Sequence, residues 1–154
     1  MIKLNLGCGA EILDEFINID FIHTAGVNLL HDLNKPLPFK DNYADFILAS
    51  DVLEHFPSSK YSKILADWVR VLKPGAEIHI RVPNIELICE KIHKQLLPAK
   101  ALIELLYGGQ DSPGNFHYNG FTKPLLIDAI KSAGCREICR IWDSDHNTNV
   151  VAKK

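Results

Sequence analysis

Polar and apolar residues alternate from the first positions of the chain. Ile2, Leu4 and Leu6 fall on one side of an extended backbone and Lys3 and Asn5 on the other, the period of a strand with one buried face. Phe16-Ile17-Asn18-Ile19-Asp20 is a second such run, and Val27-Asn28-Leu29-Leu30 is a third. Ala44 to Ser50 is almost continuously apolar, as a central strand should be, and Ala76 to Val82 alternates Ile78, Ile80 and Val82 with His79 and Arg81. The connections between the first three runs are short. Ten residues from Gly7 to Phe16 and six from Phe21 to Gly26 leave no room for the helical crossover of about a dozen or more residues that joins parallel neighbours.

Helical spacing enters later. Ile64, Leu65, Trp68, Val69 and Leu72 predict a helix capped by Ser58 or Ser59 and stopped by Lys73-Pro74-Gly75. A second helical region runs from about Ile85 to Leu106 with a break at Pro98, and a third starts at Thr122, carries Pro124 in its first turn and ends at Gly134. Arg136 to Trp142 and Asn149 to Ala152 predict an antiparallel hairpin. Between the helices, Tyr107 to Gly120 is a long loop with Gly108, Gly109, Gly114 and Gly120 as hinges, suited to act as a lid. The pattern predicts an α/β fold: a mostly parallel sheet with an antiparallel C-terminal hairpin and helices mainly on one face. Lys3, Asn5, Asn18, His79 and Arg81 make the other face too polar for a helical layer, so it is expected to be thinly covered, solvated or closed by a second copy. Monomer and homodimer both satisfy that expectation.

Composition narrows the class. The 154 residues suit one domain spanning 1–154. The net charge of −2 arises from mixed signs with no basic stripe, which argues against nucleic acid as a partner. No apolar run is long enough to span a bilayer and no basic-apolar leader opens the chain, so a soluble, cytoplasmic protein is expected. Cys8, Cys89, Cys135 and Cys139 are scattered without C-x-x-C spacing, and no metal site is expected.

Candidate chemistry begins at Leu4-Asn5-Leu6-Gly7-Cys8-Gly9, a strand running into a Gly-x-Gly turn whose backbone can approach a ligand closely. Asp20 closes the second run, where a carboxylate can accept from both ribose hydroxyls. Together they favour an adenosine-containing ligand. Asp51-Val52-Leu53-Glu54-His55-Phe56 follows the fourth strand, at the sheet edge where α/β proteins bind ligands.

These residues, with Asp32-Leu33 before Pro36-Leu37-Pro38-Phe39, Ser50 ahead of the Asp51–Phe56 run, and Leu72-Lys73-Pro74-Gly75, give a chain that resembles the class I S-adenosylmethionine-dependent methyltransferases over essentially its whole length. The resemblance implies a Rossmann-like sheet and S-adenosylmethionine as cofactor. It implies that Gly7, Cys8 and Gly9 pass the methionine part, Asp20 holds the ribose, Asp32 meets the adenine amine with Leu33 beside the ring, and Asp51 lies near the methionine end. The chain departs from the family pattern in having Glu11 where a third glycine often stands, and in lacking full-length early helices.

Methyl transfer to a small metabolite or sugar-like acceptor is the expected function. The cofactor brings the activated group, and a base matters only if the acceptor must lose a proton. His117, among Asn115, Phe116 and Tyr118, and His55 are the candidates for that role. Two other functions compete: a non-catalytic S-adenosylmethionine-binding or interaction domain, and a nicotinamide-dependent oxidoreductase. The latter is weakened because Gly7-Cys8-Gly9 lacks the further glycine of G-x-G-x-x-G and Asp20 follows too soon.

Overall fold

Leu4, Leu6, Ile19, Ile47, Ala49, Ile78, Ile80, Val82, Val150 and Ala152 are all buried, and they lie on one face of a single sheet. The computed structural model describes residues 1–154. The strands are β1 (Lys3–Leu6), β2 (Phe16–Asp20), β3 (Leu29–Leu30), β4 (Ala44–Ser50), β5 (Leu72–Pro83), β6 (Glu137–Ser144) and β7 (Asn147–Lys153), ordered β3-β2-β1-β4-β5-β7-β6. The first five run parallel, and β7 pairs antiparallel with both β5 and β6. The hairpin and the mostly parallel sheet are those expected from the pattern.

The helices are α1 (Tyr61–Val71), α2 (Ile85–His93), α3 (Ala99–Tyr107) and α4 (Lys123–Ser132). From α1, Ile64, Leu65, Trp68 and Val69 join Leu126 and Ile130 of α4 in the cluster that covers the apolar sheet face. Thr122 caps α4 by accepting from Leu125 N, and the break at Pro98 separates α2 from α3. Both ends of α1 are formed differently from expectation. Neither Ser58 nor Ser59 caps α1: Lys60 holds the cap position, and Lys60 N and Tyr61 N both donate to Pro57 O, so a backbone turn starts the helix. Lys73-Pro74-Gly75 ends α1 from inside β5, since the β4–β5 register slips between Ala44 and Phe46 and accommodates these residues as a bulge.

No helix lies between β1 and β2 or between β2 and β3. Buried asparagines organise these loops instead. Asn18 Oδ1 accepts from Leu13 N at 3.0 Å and from Asn5 Nδ2 at 2.9 Å, while Asn18 Nδ2 donates to Leu13 O at 3.0 Å. Asn5 Nδ2 also donates to Glu11 O at 2.8 Å, and Asn28 Oδ1 accepts from Asn18 N at 2.8 Å. One side-chain amide has two donors and two acceptor lone pairs, so it can satisfy the backbone of a loop that has no helix to do so.

The second sheet face carries no helix. Phe16 meets Phe46 edge-on at 6.1 Å under Lys3, and farther along His79 sits between Asn149, 3.1 Å from its Nε2, and the Trp142 ring. Arg140 stacks over Trp142. Burial, helped by the charges of Arg140 and Arg81, holds the His79 imidazole below its ordinary value of 6.5 against the opposing Asn149 hydrogen bond.

Asn18→Ala should lower the free energy of unfolding by about 2–4 kcal/mol, because it strands Leu13 N, Leu13 O and the buried Asn5 amide at about 1–3 kcal/mol each. Urea denaturation measures this, and a loss below about 0.5 kcal/mol, the scale of an ordinary surface substitution, would show that the loops do not depend on the amide. His79 yields a pH prediction. Its folded pKa is depressed, so its contribution is fully present above pH 6.5 and is lost as pH falls through the folded value. His79→Gln should therefore lose less stability than the unmutated chain between about pH 7 and about pH 5.5, compared by urea midpoints.

Candidate functional site

The carboxyl ends of β1, β2 and β4 open onto one cavity of about 480 Å³. Gly7, Asp20, Phe21, Asp32, Leu33 and Asn34 line one part, and Asp51, Val52, His55, Phe56 and Tyr118 line another. The volume falls in the range of about 300–1,000 Å³ typical of small-molecule sites.

Gly7 has φ +61°, and a Cβ there would stand 2.7 Å from Val52 Cγ2, so the turn and the β4 edge approach as closely as they do only because the side chain is missing. Gly9 also has positive φ, but open space surrounds it. Asp20 closes the turn: its Oδ2 accepts from Gly9 N at 2.8 Å and its Oδ1 from Ile22 N at 2.9 Å. Each oxygen keeps a further lone pair. At the far end Asn34 donates through both its backbone N and its side-chain amide to Asp32 Oδ1, and these bonds, the backbone one first, hold the Asp32 carboxyl below the ordinary carboxylate range.

Asp51 adopts φ +55°, a left-handed conformation that non-glycine residues rarely take. It is over-determined there: Asp51 N donates to Arg81 O, Arg81 grips both carboxylate oxygens, and Asn147 Nδ2 donates to Oδ1 at 3.2 Å. The sharp turn directs the chain into a short 3₁₀ segment, Leu53–His55. Onto it docks the long loop. Tyr118 N and Asn119 N donate to Glu54 O, and Asn119 Nδ2 donates to Phe56 O. Gly114 lets the loop touch the Phe21 ring, where any Cβ would collide.

His55 and His117 meet with ring centroids 4.9 Å apart. Each Nδ1 faces a main-chain carbonyl, Phe116 O at 3.0 Å for His55 and Leu105 O at 3.1 Å for His117. Burial, then the nearby His55, lowers the His117 imidazole from its ordinary value. Glu54 is 1% exposed, and burial pushes its carboxyl well above the usual range, with the Asp51 charge adding to the effect.

The fold therefore brings Gly7, Asp20, Asp32, Leu33, Asp51 and His55 onto one cavity. Cys8, Gly9 and His117 do not line it. Cys8 is buried with its amide on Ile19 O, and burial, then the Asp20 charge, raises its thiol. His117 stands behind His55, and Tyr118 is the loop residue that reaches the wall. Phe21 and Asn34 line the site without having stood out in the sequence, Gly114 and Tyr118 stood out only as parts of the long loop, and Arg81, read as a polar strand residue, holds Asp51. Glu54 had a visible signal, an acidic residue in a run of apolar ones at a strand end. Although the sequence has no metal-ligand spacing, Glu54, His55 and His117 cluster in space.

Residues 9–80 match the family model of the methyltransferase domain. No curated protein matches the chain significantly. Among solved structures, a S-adenosylmethionine-dependent methyltransferase from Methanosarcina mazei is 19% identical, with a TM-score of 0.69 over 99% of this chain and 91% of that one. The 1,6-didemethyltoxoflavin-N1-methyltransferase of Burkholderia thailandensis, solved with its substrate and S-adenosylhomocysteine, is 15% identical, with a TM-score of 0.67 over 99% and 70%. A possible exported protein from Bordetella parapertussis is 14% identical with a TM-score of 0.68 over 99% of this chain, and the chain spans only 61% of that protein's length. The fold is that of the class I S-adenosylmethionine-dependent methyltransferases, and with the methyltransferase-domain match over residues 9–80 it indicates S-adenosylmethionine as the cofactor.

Gly7→Ala should cost about 2–4 kcal/mol of stability, combining left-handed strain of about 1–2 kcal/mol with overpacking against Val52. Gly9→Ala, with open space around it, should cost only the strain. Denaturant midpoints of the two variants would be compared, and equal losses would mean that the Val52 contact does not limit the turn.

Proposed function

We propose that the chain transfers a methyl group from S-adenosylmethionine to a small-molecule acceptor bound between Asp51, His55 and Tyr118. The observation that carries this reading is the single cavity shared by two separated carboxylates, Asp20 and Asp32, and by His55 and Tyr118. S-adenosylmethionine, when bound, supplies a methyl group activated by its sulfonium. Asp20 would accept from the ribose hydroxyls with the lone pairs left free by Gly9 and Ile22, and Asp32 from the adenine amine, with Leu33 and Phe21 covering the ring. Gly7 gives the methionine part room to pass, Cys8 and Gly9 contribute backbone only, and Asp51 is held by Arg81 at the methionine end. Alignment is the protein's main contribution to such a displacement, and the docked 108–120 loop supplies the wall that excludes water. His55 is the polar group nearest the acceptor, with His117 behind it as a positioning residue.

Two features count against the competing readings. A nicotinamide dinucleotide needs its pyrophosphate at a helix N-terminus, and no helix follows the glycine turn here, whereas S-adenosylmethionine carries no phosphate to be bound. A merely binding domain would have no use for a buried carboxylate and two imidazoles at the acceptor end. The four free cysteines fit the reducing, cytoplasmic setting expected from sequence, and no helix is long and apolar enough to cross a membrane.

S-adenosylhomocysteine should bind the chain and raise its melting temperature, while NAD should not. Asp20→Asn, which keeps the shape and removes the charge, should weaken binding by about 1.5–3 kcal/mol, the worth of a hydrogen bond to a charged group. Titration calorimetry on both proteins measures this, and unchanged affinity in the variant would remove Asp20 from the cofactor site.

A further inference from the structure

Beneath the acceptor end of the cavity, three side chains from two segments converge. Glu54 and His55 come from the turn after β4, and His117 comes from the loop after α3. One carboxylate oxygen of Glu54 and one ring nitrogen of each histidine lie within 4.8 Å of one another. Neither carboxylate oxygen of Glu54 has a hydrogen-bond partner, although the residue is 1% exposed. Leaving a buried carboxylate without a donor is costly, and native proteins rarely do so without a missing ligand to explain it. The nearby amides of Tyr118 and Asn119 are spent on the main-chain oxygen of Glu54 and cannot help.

The histidines are prepared in a complementary way. A carbonyl only accepts, so Phe116 O and Leu105 O hold the proton of each neutral imidazole on Nδ1 and leave the lone pair on Nε2. A backbone carbonyl that fixes the tautomer of an imidazole is the usual support of a metal-bound histidine.

We propose that Glu54, His55 and His117 form a site for one divalent transition-metal ion at the acceptor end of the cavity. Two imidazoles and one carboxylate are the donors that suit zinc, iron, cobalt or manganese, whereas magnesium and calcium prefer oxygen ligands throughout. Ligand bonds of about 2.0–2.2 Å require donors somewhat closer than they stand, so a small rotation of the side chains would complete the site. Three protein ligands leave positions open, and His55 connects the site to the cavity.

The catalytic consequence rests on the methyl-transfer reading. An ion at this position would bind the hydroxyl oxygen of the acceptor and lower its pKa, so that the O–H bond breaks and the proton passes to solvent. The oxygen then attacks the methyl carbon: the O–CH₃ bond forms, the S–CH₃ bond breaks, and its electron pair stays on sulfur as a neutral thioether. This assigns the acceptor to the hydroxyl-bearing compounds.

The test uses the full, tag-free chain stripped with a chelator and titrated with Zn²⁺ by calorimetry and with Co²⁺ by visible absorption, with S-adenosylhomocysteine binding measured on the same preparations. One equivalent of metal should bind, and the Co²⁺ bands should be those of a nitrogen-ligated ion. His117→Gln and Glu54→Gln should each weaken metal binding at least tenfold while S-adenosylhomocysteine binding persists, and His146→Gln, at a surface Asp145 pair, should leave metal binding unchanged. Absence of stoichiometric binding, a Co²⁺ spectrum of the aquo ion, or wild-type affinity in His117→Gln overturns the site. Because the spectrum is read on the unmutated chain, it decides even if a variant fails to fold. Metal binding without S-adenosylhomocysteine binding would instead overturn the methyl-transfer reading and leave the ion site standing.

Discussion

The loops that replace two helices depend on the side-chain amide of Asn18. With only short connections on either side of β2, helical bonds cannot satisfy the backbone of residues 8–15 and 21–28; the Asn18 amide pairs with Leu13 N and O on one side, while on the other the Asn18 backbone N and amide both donate to Asn28 Oδ1. It is buried at 3% exposure, so water cannot take its place. Asn5 extends the network to β1, at the start of the turn that carries Gly7. The glycine turn is thus positioned from below by hydrogen bonds rather than from the side by a packed helix.

This difference shapes the site. A helix after β1 would point its N-terminus at the ligand and favour an anion, whereas the loop presents two glycines and the Asp20 carboxylate. The other half of the cavity is built by strain that its surroundings over-determine. Asp51 in its left-handed conformation turns the chain sharply, Arg81 and Asn147 hold it, and the main-chain oxygen of Glu54 then anchors the loop with Tyr118 and His117. One strand end therefore sets both Asp51 and the loop that carries Tyr118 on this half of the cavity.

Much of this was legible in the sequence. Period-two alternation located β1 and the end of β5, a nearly continuous apolar run located β4, connection lengths excluded the early helices, and polar residues at Lys3, Asn5, Asn18, His79 and Arg81 marked the uncovered face. What escaped notice depends on contacts between distant segments. The start of α1 rests on Pro57 O, a backbone acceptor with no sequence signature. His117 stood out as a polar loop residue beside apolar ones, yet its ring turns toward Leu105 O and His55, leaving the cavity wall to Tyr118. The grouping of Glu54 with His117 follows from the way α3 returns its loop to the sheet edge, and no local spacing encodes it.

The most direct measurement is the amide NMR spectrum of the nitrogen-labelled chain during titration with S-adenosylhomocysteine. A cofactor seated at the carboxyl edge of the sheet predicts saturable shifts at Gly7, Gly9, Phe21, Leu33 and Val52, with little change at the opposite edge. Absence of shifts, or shifts gathered around Lys3, Phe16, Asp45 and Gly75, where the sheet's other end holds a second hollow, would contradict it.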